Sequence, residues 1–266
     1  MSTDSTRKTI LMALGVCLVC SVLVSSAAVG LKGIQDRNRE LDKLKNILSA
    51  GNIAYDNANV RQLFIEKIKA DVIDLNSGTI LPQSQYTDVL NPEKFDIKSM
   101  TKNPQYNRML TPEQDLAQIR QIPKNMVIYW VIEAGQVEKI ILPIYGKGLW
   151  STMDGFIALD RDLKTVAGFT FYEHGETPGL GGEVDNLAWK RSWIGKKAFD
   201  ESGNLQIEVL KGKVNPADPQ ARYQVDGLSG ATLTTRGVNN LVRFWLSENG
   251  YGPFITRQRG MQSWAH

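Results

Sequence analysis

Val225 to Asn240 reads VDGLSGATLTTRGVNN, with the hydroxyls of Ser229, Thr232, Thr234 and Thr235 crowded around Gly230 and Ala231. Hydroxyls at this spacing suit a tight turn, a phosphate cradle, a catalytic serine or a covalent attachment point. The pattern predicts a strand, a turn at Asp226–Gly230, and a helix from about Thr234. Gly227 and Gly230 permit close backbone approach and unusual dihedrals. A helix start offers free N–H groups and the positive end of its dipole, which suits an anion such as phosphate. Arg236 would add a charge-assisted contact. The same residues also suit a plain turn with N-cap hydroxyls. Two sharper chemistries fail. A Walker loop needs Lys before its Ser/Thr, and Gly230-Ala231-Thr232 has none. Gly227-Leu228-Ser229-Gly230-Ala231 mimics a nucleophile elbow, but only His266, the last residue, follows it as a base.

A second stretch, Tyr172 to Glu183, reads YEHGETPGLGGE. Glu176-Thr177-Pro178-Gly179 forms a stiff turn, and from Gly179 through Gly181 to Gly182 only Leu180 carries a side chain. Such a segment can lie flat against a planar ring and offer backbone groups to its polar edge; it equally suits a long surface loop. His174 reads as a local polar contact rather than a base. A third stretch, YGKGLWSTMDGF from Tyr145 to Phe156, sets Leu149 and Trp150 between glycines at a strand boundary. An aromatic and a leucine there can flank a heterocycle or fill the core.

The elements that must position these stretches are predicted from periodicity. Leu41, Leu44, Ile47 and Leu48 share one helical face over Asp36–Ala50, with Gly51 as a stop. Asn59–Lys69 reads as a second helix, and DVIDLNSG as a short strand and turn. Pro82 to Pro123 is polar and proline-rich, an extended excursion with one helix expected near Pro112–Ile122. Apolar runs on either side of Ala134-Gly135-Gln136 predict a hairpin. Gly155–His174 repeats that pattern around Asp160–Lys164. NLQIEVLKGK and ARYQVDG are candidate further strands, and Asn186–Ile194 and Thr234–Ser247 candidate helices. Hairpins plus separate helices imply an α+β fold with a mostly antiparallel sheet and flanking helices.

Composition narrows the class. The chain has 266 residues, 42% hydrophobic and 22% charged, enough for a real core and against disorder. A net charge of +3 without long basic runs argues against nucleic acid as a partner. With only His174 and His266, a histidine-rich metal site is not expected, so redox chemistry would need an organic cofactor. Thr9–Leu31 carries no charge and is long enough to cross a bilayer, at ~1.5 Å per residue. It is longer than the apolar part of a signal peptide, so a retained membrane helix is expected. Cys17 and Cys20 fall inside it and read as small membrane-helix residues. The expected organisation is a membrane anchor over 1–33 and a soluble domain over 34–266. Basic residues flank the span on both sides, which leaves its orientation open.

Taken together, Asp226-Gly227-Leu228-Ser229-Gly230-Ala231-Thr232, Glu176-Thr177-Pro178-Gly179-Leu180-Gly181 and Gly148-Leu149-Trp150-Ser151 resemble the covalent FMN-binding domain family. Within it, the chain is similar to the C-subunit family of bacterial Na⁺-translocating NADH:quinone oxidoreductases, and that similarity spans nearly the whole chain. The G-subunit flavoproteins of Rnf-type electron-transport complexes share the first two motifs, and a membrane-tethered, non-redox binder of phosphate ligands is a reading of another class. The resemblance implies FMN joined by a phosphoester to Thr232, placed there by a flavin transferase that uses FAD and Mg²⁺. It further implies a one-electron relay within a membrane respiratory complex, with other membrane subunits as partners and neither NADH nor quinone bound by this chain. It places the soluble domain in the periplasm, on the outer side of the bacterial inner membrane. Ser229, Gly230, Ala231 and Asp226 would shape the attachment turn. Glu176, Thr177, Gly179, Leu180, Gly181, Leu149 and Trp150 would surround the flavin. Thr234 and Thr235 are expected as caps, with Thr234 the alternative attachment point to check.

Overall fold

The computed structural model describes residues 6–261; His266 lies outside them. The first helix, α1, runs unbroken from Thr6 to Ala50, so the apolar span and the amphipathic Asp36–Ala50 pattern belong to one helix. Its Thr6–Gln35 part is long and apolar enough to cross a membrane, and carries both cysteines. The chain divides into two compact units, Met1–Lys43 and Leu44–His266.

The second unit is built on five long strands: β1 (Ile68–Asp74), β4 (Asn125–Glu133), β5 (Gln136–Lys147), β6 (Thr152–Asp160) and β7 (Val166–Glu173). They form one antiparallel sheet in that same order, each strand beside the next. Strands β2 (Asn107–Met109) and β3 (Gln121–Pro123) form a separate antiparallel pair within the intervening excursion. The β4–β5 hairpin closes at Ala134-Gly135, both with positive φ, the backbone twist that suits a two-residue hairpin turn. Helix α2 (Val60–Lys67) ends just before Ile68, which opens β1 opposite Val131. The apolar positions read as one helix therefore serve two elements. Strand pairing along the whole of β1 outweighs a marginal extension of so short a helix.

β4, β5 and β6 are buried almost without alternation, which requires cover on both faces. Helix α5 (Thr232–Leu246) covers one: Trp245 donates its indole N–H to the Tyr145 carbonyl (2.6 Å). Tyr251 donates its hydroxyl to the Pro143 carbonyl (2.6 Å) from the loop before α6 (Gly252–Met261). The other face takes the end of α1, where Ile47, Leu48 and Ala50 are buried and Gly51 lies against Ile141. Ile141 and Gly146, which faces Leu241 of α5, differ by an odd number of residues and so point to opposite faces.

The helix expected near Pro112–Ile122 is absent. The Asp115 carboxylate accepts the N–H groups of Ile119 (2.7 Å) and Arg120 (2.8 Å), and Gln118 and Arg120 take positive φ. A short acidic side chain that bonds its own backbone offers the chain an alternative to helix. The excursion's helix is α3 (Ile97–Lys102), capped by Asp96. Helix α4 (Leu187–Ser192) is capped by Asn186. The candidate late strands shrink to a two-residue parallel pair, β8 (Glu208–Val209) and β9 (Gln224–Val225). Replacing Trp245 by Phe leaves the buried Tyr145 carbonyl without its donor. We expect a loss of ~1–3 kcal/mol, seen as a lower urea midpoint with an unchanged slope.

Candidate functional site

The three motif stretches lie far apart in sequence and meet at one side chain, Glu176, which is 4% exposed. Its Oε1 accepts the N–H groups of Trp150 (3.0 Å) and Ser151 (3.2 Å). Its Oε2 accepts the N–H of Leu149 (3.2 Å) and the hydroxyl of Thr234 (2.6 Å). Burial alone would raise the pKa of this carboxyl. The Thr234 hydroxyl and the N–H groups of Trp150, Ser151 and Leu149 outweigh it and hold the group below the usual glutamate range. Three successive N–H groups aimed at one anion form a nest. The approach is close enough to demand glycine on both sides. A Cβ on Gly148 would sit 2.5 Å from Glu176 Oε1, and one on Gly181 2.5 Å from Thr234 Oγ1.

Each loop has its own support. Gly148 N–H donates to the Ser151 carbonyl (2.8 Å), and the Ser151 hydroxyl accepts from Gly175 N–H (2.6 Å). His174 accepts the Glu176 N–H at Nδ1 (3.2 Å) and meets Asp185 through Nε2 (2.8 Å). It is the local polar contact expected of it. The Thr177 carbonyl accepts from Leu180 (3.1 Å) and Gly182 (2.8 Å), which curls the glycine-rich segment into a turn through Gly179, at φ +75°. Leu180 is left 46% exposed.

The Asp226–Gly230 turn is held from outside. Asp226 accepts Val214 N–H on its carboxylate (2.7 Å) and the Trp189 indole N–H on its carbonyl (2.8 Å). Gly230 takes φ +72°, and Leu180 lies 3.2 Å from where its Cβ would stand. Leu228 and Ala231 are buried, while Ser229 and Gly230 are exposed. Helix α5 starts at Thr232, two residues earlier than its periodicity suggests, and its N-cap is Ala231, which has no capping side chain. Thr234 and Thr235 are therefore not caps. Thr234 is 1% exposed and bonded to Glu176; Thr235 is 2% exposed and accepts Leu228 N–H (3.0 Å). Thr232 is exposed, on the first residue of the helix.

The structure adds residues that sequence reasoning missed. Leu233, beside Thr232 in the first turn of α5, is 46% exposed, and joins Leu149, Trp150 and Leu180 as apolar side chains displayed by the three stretches. Its signal was available as an apolar residue between two hydroxyls. The Trp189–Asp226 bond spans 37 residues and leaves no trace in local pattern.

The three stretches thus join a carboxylate-filled nest, exposed apolar side chains and a helix N-terminus without a capping side chain. The FMN-binding domain family matches residues 148–247, a span that runs from the Gly148 loop through α5. The chain is 47% identical over 260 residues to the C subunit of Na(+)-translocating NADH-quinone reductase from Yersinia pestis, covering 96% of this chain and 94% of that one. It is 46% identical over 259 residues to the protein of the same name in Pseudomonas aeruginosa, covering 96% and 97%. Among solved structures it is similar to Shewanella oneidensis NqrC, with a TM-score of 0.74 and 31% identity over 84% of this chain and 99% of that one. The C subunit from Parabacteroides distasonis gives 0.64 and 27% over 85% and 97%. The chain belongs to the family of Na⁺-translocating NADH-quinone reductase C subunits.

Because the folded-state pKa of Glu176 is lowered, its network contributes stability that is complete above the unfolded value of about 4.5 and is lost as pH falls through the folded value. The stability advantage of wild type over Glu176→Gln should therefore hold at neutral pH and shrink in acid. Urea unfolding of both proteins at pH 7 and at low pH measures it.

Proposed function

We propose that the chain is the FMN-carrying, electron-relaying subunit of a Na⁺-translocating NADH:quinone oxidoreductase, with FMN held by a phosphoester on Thr232. The carrying observation is the sorting of three threonines at one helix start: Thr232 is exposed, whereas Thr234 and Thr235 are buried and bonded. An enzyme that modifies a hydroxyl must reach it, and of these three threonines Thr232 is the one within reach. The residues present fit the group. The uncapped first turn of α5 presents N–H groups and a positive dipole end to a phosphodiester, and exposed Arg236 can add charge. Leu149, Trp150, Leu180 and Leu233 supply apolar and aromatic surface for a ring system, and the backbone of Gly179–Gly182 a polar edge. Ser229 and Gly230 leave the approach to Thr232 open, while Asp226 holds the turn in shape.

Bound FMN supplies reversible oxidation and reduction in one-electron steps, which the polypeptide here does not offer. The chain's own part is placement. In maturation, the Thr232 hydroxyl gives up its proton and forms the ester bond to the flavin phosphate of FAD, and AMP leaves. A flavin transferase with Mg²⁺ is the agent. The apolar Thr6–Gln35 stretch anchors the protein in the inner membrane beside the other subunits, with Leu44–His266 on the periplasmic side. The similarity to C-subunit proteins along almost their whole length supports these assignments.

Expression with an active flavin transferase, followed by intact mass under denaturing conditions, tests the reading. The expected result is a gain of FMN less one water, mapped to Thr232 and abolished by Thr232→Leu. Thr234→Val should keep the full gain. An unmodified wild-type chain beside an active transferase overturns the proposal in favour of a tethered, reversible phosphate-ligand binder. An impermeant protease added to spheroplasts tests the orientation. Digestion of the soluble part is expected; protection until the spheroplasts are lysed would place it in the cytoplasm instead.

A further inference from the structure

Glu176 belongs to the family-matched site but has no valence left for a ligand. An ionised carboxylate offers about four acceptor positions, and four protein donors at 2.6–3.2 Å fill them. It is also 4% exposed. We infer that Glu176 is a positioning residue: it sets the environment of the flavin ring through the Leu149–Ser151 loop and Thr234, without touching the flavin. The inference rests on the reading of this site as an FMN site.

The loop between β5 and β6 has little regular pairing of its own: one turn bond from Gly148 to Ser151, and the tie from Ser151 to Gly175. Trp150 is 68% and Leu149 42% exposed, so packing does not hold them in place. Their position follows from the backbone, and three consecutive backbone N–H groups are pinned by one carboxylate. The same carboxylate is pinned to α5 by Thr234, in the same helical turn as Thr232. The ring-facing loop and the attachment helix are thereby set at a fixed spacing. Removing Glu176 releases the loop to water but leaves α5 in place, because Val238, Leu241 and Trp245 bury that helix independently. Attachment at Thr232 and the environment of the ring thus separate. The charge has its own effect. A buried anion among the loops of the site opposes the addition of an electron nearby, so its removal makes reduction easier.

The experiment uses the full-length chain expressed with the flavin transferase, as wild type, Glu176→Gln, Glu176→Ala, Thr234→Val and Thr234→Ser. Four quantities are read: intact mass after denaturation, visible circular dichroism of the flavin bands, flavin midpoint potential, and thermal midpoint. Mass gain should be the same in all five. The flavin dichroism should fall several-fold in Glu176→Ala, fall less in Thr234→Val, and keep the wild-type form in Thr234→Ser, which retains the hydroxyl. The midpoint potential should move positive in Glu176→Gln and Glu176→Ala and stay unchanged in Thr234→Ser. Wild-type dichroism and potential in the Glu176 variants, with only a lower thermal midpoint, would make Glu176 a stabilising residue and overturn the inference. Loss of the mass gain in a folded Glu176 variant would overturn it too, by moving the role to maturation. If Glu176→Ala fails to fold, Glu176→Gln and Thr234→Val decide. A wild-type chain without added mass defeats the FMN reading itself, and is recognised before any variant is compared.

Discussion

A charge that is buried must be surrounded by donors or it unfolds its surroundings. Glu176 meets that demand with groups drawn from distant parts of the chain: the N–H groups of Leu149, Trp150 and Ser151, and the hydroxyl of Thr234. Because the donors come from the β5–β6 loop and from α5, satisfying the charge and assembling the site are the same event. Gly148 and Gly181 are the geometric condition for it, since a methyl group at either position would occupy space held by the carboxylate or by Thr234. A neutral acceptor would bind three convergent N–H dipoles less strongly.

Around this bond the frame is rigid on both sides. α5 is locked to β5 by Trp245, and Tyr251 locks the following turn to the same strand. On the other flank, Trp193 stacks on Phe169 of β7 at 4.0 Å and 5°, with Trp189 edge-on to both rings. Trp189 then reaches the carbonyl of Asp226 with its indole N–H. The Asp226–Gly230 turn is therefore suspended between an aromatic cluster and a helix start. Function placed on such elements is held in shape before any ligand arrives. Leu149, Trp150, Leu180 and Leu233 stay exposed on the stretches that this frame holds.

Much of the sheet was legible. The hairpin at Ala134-Gly135 and the strands around Asp160–Lys164 follow from apolar runs broken by turn residues, and both are found. Expectation and structure part where one local signal competes with another. Pro112 and the apolar spacing after it suggest a helix, but Asp115 takes the N–H groups of Ile119 and Arg120 for itself. Ile68 fits a helical face and also begins a strand, and pairing with β4 wins. Helix α6 drew no expectation, because Pro253 and two glycines at Gly250 and Gly252 mask its start. In the site, the three motifs were visible as unusual small-residue stretches. Their meeting was not, since no local pattern pairs Glu176 with a residue 58 positions away.

Residue chemistry along the chain determined which stretches are special, that the chain has an apolar segment able to span a membrane, and that the domain is a mostly antiparallel α+β fold. These depend on short-range periodicity and side-chain type, which the sequence displays directly. Which threonine is open and which is buried was decided by tertiary structure alone. The three lie within four residues, Thr232 to Thr235, and share the same chemistry. What separates them is the facing of a helix whose start is set by packing against β5 and by the carboxylate of Glu176. A helix turns by ~100° per residue, so Thr232 and Thr234 stand on opposite sides of α5, and only long-range contacts fix which side faces inward.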